Sequence, residues 1–447
     1  MTSLSKKAIQ GTIWTLFGYG GSQVLRFGGN LILTRLLVPE LFGLMALVNT
    51  FITGLNLFSD VGIRPSIIRS ERGDDPLFLN TAWTIQVVRG CLLWIVCWLM
   101  AKPLSEFYNE PQLLWIIPIV GFVTVLSGFN STALATLTRN LELGKLTLYD
   151  FAVQITTLSV MIVWAKINST IWALISGTLL GSLLGLIRSH LLNKGSPNRF
   201  AWDKTALNEI FSFGRWIFLS TAMTFLANQS DRLILGKLLS LEILGIYTVA
   251  YTLSDLPRQL MNKLSSQVLF PIFSKTMDLS NNDFRKKIIK KRWIILIGLG
   301  LIITLFFGFG DFMILALYDS RYQQAAWMLP ILCLGLWPVI LCSTLDKILY
   351  AFGKPQYSTI GYFLKFAYMI ILLPLSFKTF NLLGVVITIA FNDIPYYIIV
   401  NYGLWKNKVS FLKQDLEATL LLIILVIMVL GFRYQLGLGI PFDLVSN

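Results

Sequence analysis

The sequence predicts an all-α polytopic membrane protein: two parallel-repeat six-helix bundles around a central cavity, plus an extra C-terminal span. Three observations carry that prediction. First, 55% of the 447 residues are hydrophobic and 13% are charged, where a soluble domain carries about 25% charged residues. Too few polar groups remain to coat a water-facing surface of this size, so lipid is the matching solvent. Second, apolar runs of about 20 residues recur along the whole chain. Third, a short pattern beginning at Leu31 returns without gaps from Leu233.

Taken in order, spans are predicted at 12–37, 42–63, 78–101, 113–137, 148–166, 170–191, 213–237, 243–271, 293–317, 326–351, 358–377, 383–403 and 417–433. Turn chemistry separates them, as at Val38-Pro39-Glu40, Asn109-Glu110-Pro111, Gly195-Ser196-Pro197 and Gly353-Lys354-Pro355. With the N-terminus inside, the inner segments collect about 23 Lys and Arg and the outer ones about 7, a strong positive-inside bias. That places the N-terminus in the cytoplasm. The basic run from Arg285 to Arg292 is expected to enforce this topology and to rest on anionic headgroups. No cleavable signal peptide is expected, and the first span is read as its own insertion signal.

The repeat aligns Leu31-Ile32-Leu33-Thr34-Arg35-Leu36-Leu37-Val38-Pro39-Glu40-Leu41-Phe42-Gly43 with Leu233-Ile234-Leu235-Gly236-Lys237-Leu238-Leu239-Ser240-Leu241-Glu242-Ile243-Leu244-Gly245. Apolar spans match by chance. A shared basic residue, Glu and Gly at fixed offsets do not. Six spans separate the two copies, so both run from inside to outside and the halves are parallel repeats. The predicted division is 1–192 for the N-terminal bundle, 193–212 for a cytoplasmic linker, 213–405 for the C-terminal bundle and 406–447 for the extra span and tail.

The net charge of +14 is spread over short loops rather than gathered on one face, which argues against nucleic acid as a partner. Cys91, Cys97, Cys333 and Cys342 all fall inside apolar runs, and His190 is the one histidine. Disulfides, a metal site, a cofactor and catalytic residues are therefore not expected.

Helical spacing gathers polar residues on single faces. In the first span these are Tyr19, Gln23, Arg26 and Asn30; in the second, Asn49, Thr53, Asn56 and Asp60. In the seventh they are Thr221, Thr224, Asn228 and Asp231, with Arg232 beside them; in the eighth, Asp255, Gln259, Asn262 and Ser266, near Arg258 and Lys263. The repeat lays Thr53 on Asp255, Asn56 on Arg258 and Asp60 on Asn262. A charge at the bilayer centre costs about 2.5–3.5 kcal/mol on insertion scales, so Arg26, Arg89, Arg232, Arg258, Lys263 and Lys365 need a reason to be there. Asp60, Asp231, Asp255, Asp346 and Asp393 are available as partners. Internal ion pairs that fix packing explain any one of these residues. Whole polar stripes on four helices point to a hydrated cavity. Arginine grips phosphate oxygens bidentately, and amides and carboxylates bond to sugar hydroxyls. Gly177, Gly181 and Gly185 predict close packing of the sixth span. Pro118, Pro330, Pro338, Pro374 and Pro395 predict kinks. Trp14, Trp98, Trp115, Trp202, Tyr318 and Trp405 read as interface anchors.

The first repeat copy, followed by Phe58-Ser59-Asp60-Val61-Gly62, and the later Asn228-Gln229-Ser230-Asp231-Arg232-Leu233-Ile234-Leu235-Gly236 resemble the Wzx-type polysaccharide transporters of the multidrug/oligosaccharidyl-lipid/polysaccharide exporter superfamily. The resemblance implies a flippase of the bacterial inner membrane with two six-helix bundles and alternating access. Its substrate would be an undecaprenyl-diphosphate-linked oligosaccharide bound for O-antigen, capsule or exopolysaccharide, and its partners bilayer lipids and polysaccharide assembly proteins. Substrate-binding candidates are Gln23, Arg26, Asn30, Asn56, Arg89, Asn228, Arg232, Arg258 and Lys365. Ion-coupling candidates are Asp60, Asp255 and Asp393. Two other readings compete: a drug/cation antiporter of the same superfamily, and a membrane-embedded polymerase or glycosyltransferase. The first wants a more acidic cavity. The second wants a large extramembrane loop or paired catalytic carboxylates, for which Asp74-Asp75 is the only adjacent pair at a membrane face.

Overall fold

The computed structural model describes residues 3–139, 143–192, 197–265 and 281–441, and among them all regular structure is helical. The chain divides into two compact units, Met1–Ala222 and Met223–Asn447. The first holds α1 (Ser3–Leu36), α2 (Pro39–Phe58), α3 (Ile63–Arg69), α4 (Pro76–Tyr108), α5 (Leu113–Gly128), α6 (Ala133–Arg139), α7 (Leu143–Ile167) and α8 (Trp172–Leu191). Helix α9 (Lys204–Leu238) begins in the first unit and ends in the second. The second continues with α10 (Leu241–Ser254), α11 (Leu256–Leu264), α12 (Asn281–Leu317), α13 (Ala325–Leu334), α14 (Leu336–Ser343), α15 (Asp346–Ala351), α16 (Gln356–Ala390), α17 (Ile394–Lys406) and α18 (Leu412–Gln435). Among the described residues eight helical runs are long and apolar enough to cross a membrane, or nine if the bent pair α5–α6 is one span. This is a multi-pass membrane protein.

Within the described residues every predicted span falls on helix, but several are broken, and the end of the eighth, 266–271, lies outside those residues. The fourth bends by 58° between α5 and α6. The eighth breaks at Asp255, where Pro257 cannot supply an N–H to the preceding turn. The twelfth breaks before α17 in the same way, with Asp393 two residues ahead of Pro395. The eleventh and twelfth form one run, Gln356–Lys406, of 51 residues. It turns at Phe380 and Asn381, whose backbones leave the helical region, Asn381 at φ 49° and ψ −139°. The short helix α3 was not anticipated. Ser266 and the side chain of Lys263 lie outside the described residues.

Small residues let helices approach. A Cβ on Gly90 would lie 2.5 Å from the carbonyl oxygen of Thr124 and 3.1 Å from Cα of Gly128, so only glycine permits the α4–α5 crossing. Gly177 and Gly181 do pack on α7, against Met161 and Thr157, while Gly185 faces open space.

The linker after α8 is strapped to the first unit from residue 197 onward. Backbone N–H groups of Arg199, Ala201 and Asp203 donate to Asn80 Oδ1, Thr84 Oγ1 and Thr81 Oγ1 at 3.0–3.1 Å. Arg72 holds its end, donating to Asp75 at 2.8 Å and to Asp203 at 3.0 Å. The Arg72 guanidinium holds the Asp75 carboxyl below its usual range. The Thr205 hydroxyl and then Arg72 lower Asp203 to about 2.

One sequence expectation needs correction in the second unit. Arg292 does not rest on headgroups. Helix α12 starts before the predicted span and turns Arg292 inward, fully buried, while Lys290 and Lys291 stay exposed. Its guanidinium pairs with Asp415 at 2.5 Å and donates to Thr344 Oγ1, Gln414 Oε1 and the Leu341 carbonyl. Arg433, at the end of the last predicted span, is buried against Asp311 of α12 at 2.7 Å. These two arginines bind both ends of α18 to α12, so the extra span is an integral part of the second unit. Of the proposed interface anchors, Trp98, Trp202 and Trp405 are exposed, but Tyr318 is buried.

Candidate functional site

In the first unit, the break between α5 and α6 strips carbonyls of their helical partners. Side chains from neighbouring helices satisfy them. Gln86 Nε2 donates to the carbonyls of Ser127, Gly128 and Asn130 at 2.9–3.1 Å. Trp83 Nε1 donates to Phe129 O, and His190 Nε2 lies 3.0 Å from the same oxygen. Irregular backbone at membrane depth is tolerated where it lines a polar cavity, and one is present here, of about 450 Å³. Its walls include Asn56, Asp60, Arg64, Gln86, Arg89 and Asn130. Arg89, one turn beyond Gln86 on α4, donates from Nε to Ser59 Oγ at 2.9 Å and from Nη2 to Asn56 O at 2.6 Å. These bonds aim the guanidinium rather than neutralise it, because neither acceptor is charged. Asp60 Oδ1 accepts from Gly62 N at the turn after α2. With Arg64 and Arg89 against Asp60, the cavity is net cationic.

The second unit holds a cavity of about 280 Å³ with a different balance. Asn228, Arg232, Asp255, Arg258 and Asp393 line it, together with Tyr251, Asp346, Lys347, Tyr362 and Tyr396. Both Asp-x-Pro helix breaks deliver their aspartates here, and Arg258 joins them. It pairs with Asp255 at 3.2 Å and with Asp393 at 3.1 Å. Lys365 reaches Asp393 at 2.5 Å and Asn228 Oδ1 at 3.2 Å, and is 1% exposed. Arg232 donates to Gln229 Oε1 at 2.5 Å and lies over the Tyr251 ring. Tyr247 donates to Asp231 Oδ2 at 2.6 Å, and Asp346 accepts from Lys347 and Tyr396 at 3.3 Å each. Four cations (Arg232, Arg258, Lys347, Lys365) thus meet four carboxylates (Asp231, Asp255, Asp346, Asp393), and the cluster is charge-balanced.

The structure therefore gathers Asn56, Asp60 and Arg89 around one cavity, and Asn228, Arg232, Asp255, Arg258, Lys365 and Asp393 at another. It does not bring the α1 candidates to either. Arg26 is exposed, Gln23 donates to Tyr19 at 3.0 Å, and the Asn30 carbonyl accepts from Thr34. Gln86 and Tyr251 were missed as cavity residues, and Asp346 was foreseen only as a carboxylate partner. Gln86 had a visible signal, an amide one turn before Arg89 in an apolar span. Among the described residues no group of three or more His, Cys, Asp and Glu side chains is placed to hold a metal ion.

Residues 32–327 match the family described as polysaccharide biosynthesis protein. The chain belongs to that family. Its relatives include the teichuronic acid biosynthesis protein TuaB of Bacillus subtilis, 22% identical over 62% of this chain and 57% of TuaB. The lipopolysaccharide biosynthesis protein WzxC of Escherichia coli is 24% identical over 62% of this chain and 56% of its own length. The match thus spans little more than half the length of these curated relatives. Among solved structures, the lipid II flippase MurJ in an inward closed conformation aligns with TM-score 0.72 at 14% identity, covering 94% of this chain and 92% of MurJ. An inward-facing MATE family transporter aligns with TM-score 0.66 at 15% identity, over 86% and 95% of the two chains. The chain therefore shares the helical fold of these two transporters.

Proposed function

We propose that this protein is a flippase that carries an undecaprenyl-diphosphate-linked oligosaccharide from the cytoplasmic to the outer leaflet of the bacterial inner membrane by alternating access, for surface polysaccharide assembly. The observation that carries the reading is the family match across 32–327. The net-cationic cavity of the first unit supports it physically. Arg89 and Arg64 face a space large enough for a diphosphate, and Arg89 is already aimed by neutral acceptors. The amide-rich walls suit sugar hydroxyls. The N-terminus lies in the cytoplasm, and the lipid tail stays in the bilayer beside the protein. An inside-negative potential of 100 mV drives an anion outward by about 2.3 kcal/mol per charge, roughly 4.6 kcal/mol for a doubly charged diphosphate. Asp60, Asp255 and Asp393 are the carboxylates available to couple a cation. Asp255 and Asp393 would first have to leave Arg258 and Lys365. The reading assigns no chemical step to the protein and needs no cofactor.

A deletion strain tests it. Lipid-linked oligosaccharide should accumulate on the cytoplasmic leaflet and surface polymer should be lost, with both restored by the wild-type gene and only weakly by Arg89→Ala. Intact surface polymer together with lost dye efflux would instead identify a drug/cation antiporter.

A further inference from the structure

A second cavity of the second unit plays no part in the mechanism above. It is a groove of about 780 Å³ where the start of α10, the α12–α13 connection and the turn within α16 come together. In the orientation proposed above this is the outer end of the unit. Glu242, Gln323, Gln324 and Asn381 line it and are exposed, and no bond among the described residues engages their side chains. Arg321 also lines the groove, but Asp319 takes up its guanidinium, through Nε at 3.1 Å and through Nη2. No uncompensated positive charge therefore faces the groove, and the free carboxylate of Glu242 would repel a phosphate. One wall is apolar, with Phe380 exposed beside Asn381.

Asn381 itself sits at φ 49°, a region that favours glycine. Such conformations persist where the surrounding structure over-determines them, and they cluster at ligand clamps. Here the turn sets an amide and an aromatic ring next to each other on the groove wall. Three amides each offer a donor and an acceptor on one plane, matching the neighbouring hydroxyls of a sugar. An exposed ring suits the C–H face of a pyranose.

We infer that this groove is a binding site for the neutral oligosaccharide portion of a glycan, separate from the cationic cavity that would take the diphosphate. The flippase reading supplies the source of the glycan, but the chemistry of the groove does not depend on it. The test uses full-length protein in nanodiscs and saturation-transfer NMR. The probe is the repeat-unit oligosaccharide released from the host's surface polymer, with inorganic pyrophosphate as competitor.

The expected result is saturation transfer that pyrophosphate does not displace. Gln323→Ala/Gln324→Ala should weaken binding by about tenfold, as lost hydrogen bonds of about 0.5–1.5 kcal/mol each imply. Phe380→Ala should weaken it independently. These side chains are exposed, so unaltered thermal unfolding of the variants is the folding control. No saturation transfer at millimolar oligosaccharide, or equal transfer in wild type and both groove variants, would overturn the inference. So would displacement by pyrophosphate. Binding that survives in a protein shown not to flip lipid would retain the groove and discard the transport reading.

Discussion

Asp393→Asn should be among the most destabilising conservative changes in the protein. The carboxylate is 2% exposed and accepts from Lys365 at 2.5 Å and Arg258 at 3.1 Å. In the variant Arg258 keeps Asp255, but Lys365 keeps only neutral amide oxygens, that of Asn228 and that of the substituted side chain. An ammonium that is 1% exposed is then left without a counter-charge. Breaking a buried pair from one side costs about 3–5 kcal/mol. For a domain of the second unit's size each kcal/mol shifts Tm by about 2–4 °C, so the expected fall is about 6–20 °C. Lys365→Met should cost less, about 1–3 kcal/mol, because Asp393 retains Arg258. The double variant removes both charges and should lie closer to wild type than Asp393→Asn alone, with a coupling energy above about 1 kcal/mol. Thermal unfolding of the four proteins in the same nanodiscs completes the cycle. Additive effects, or a fall below about 2 °C for Asp393→Asn, would refute the claim that the pair is energetically coupled.

Arg433→Met should loosen α18 by leaving Asp311 buried and unpaired, at about 3–5 kcal/mol. Asp311→Asn/Arg433→Met should recover much of it, read by the same unfolding assay. Gly90→Ala places a methyl 2.5 Å from the Thr124 carbonyl and should cost about 1–3 kcal/mol by overpacking, whereas Gly185→Ala meets nothing within 4 Å and should be silent. The strap after α8 should be acid-sensitive. Asp75 and Asp203 have lowered folded values, so their contribution is complete above the ordinary carboxylate value of 3.8 and is lost as pH falls towards about 2. Hydrogen exchange at the Ala201 and Asp203 amides, corrected for intrinsic rates, should accelerate over that window, and Arg72→Gln should move its onset to higher pH.

Much of this architecture was legible because lipid imposes length and hydropathy on each helix. The spans and the turn residues between them follow from that constraint, whereas of the two Asp-x-Pro breaks only the one at Pro395 was expected, and helices run on through Pro118, Pro330 and Pro374. What stayed hidden depends on which way a helix face turns. Arg292 and Lys291 are neighbours in one basic run, yet one is sealed against Asp415 and the other is in solvent. Only the onset of α12 decides between them. The polar stripes contained Asn56, Asp60, Asn228 and Asp255, which line the two cavities, with Arg232 and Arg258 beside them, while Asp393 was expected only as a carboxylate available for pairing or ion coupling. They did not foretell that Asp393 would be shared by Lys365 and Arg258, which makes the second cluster balanced rather than basic. The recurrence of Asp-x-Pro at Asp255 and Asp393 was a readable signal for two breaks meeting at one cation. Neither cavity receives the α1 stripe.

The most direct test of the flippase account is reconstituted transport. Purified protein in liposomes holding an inside-negative potential is given a fluorescent undecaprenyl-diphosphate oligosaccharide in the inner leaflet, and its arrival in the outer leaflet is followed by quenching with an impermeant reagent. The account predicts protein-dependent flipping that slows when the potential is collapsed and falls at least about tenfold in Arg89→Ala, the loss of one charge-assisted hydrogen-bonding group. Flipping of the labelled lipid at the same rate in empty and protein-containing liposomes would contradict it.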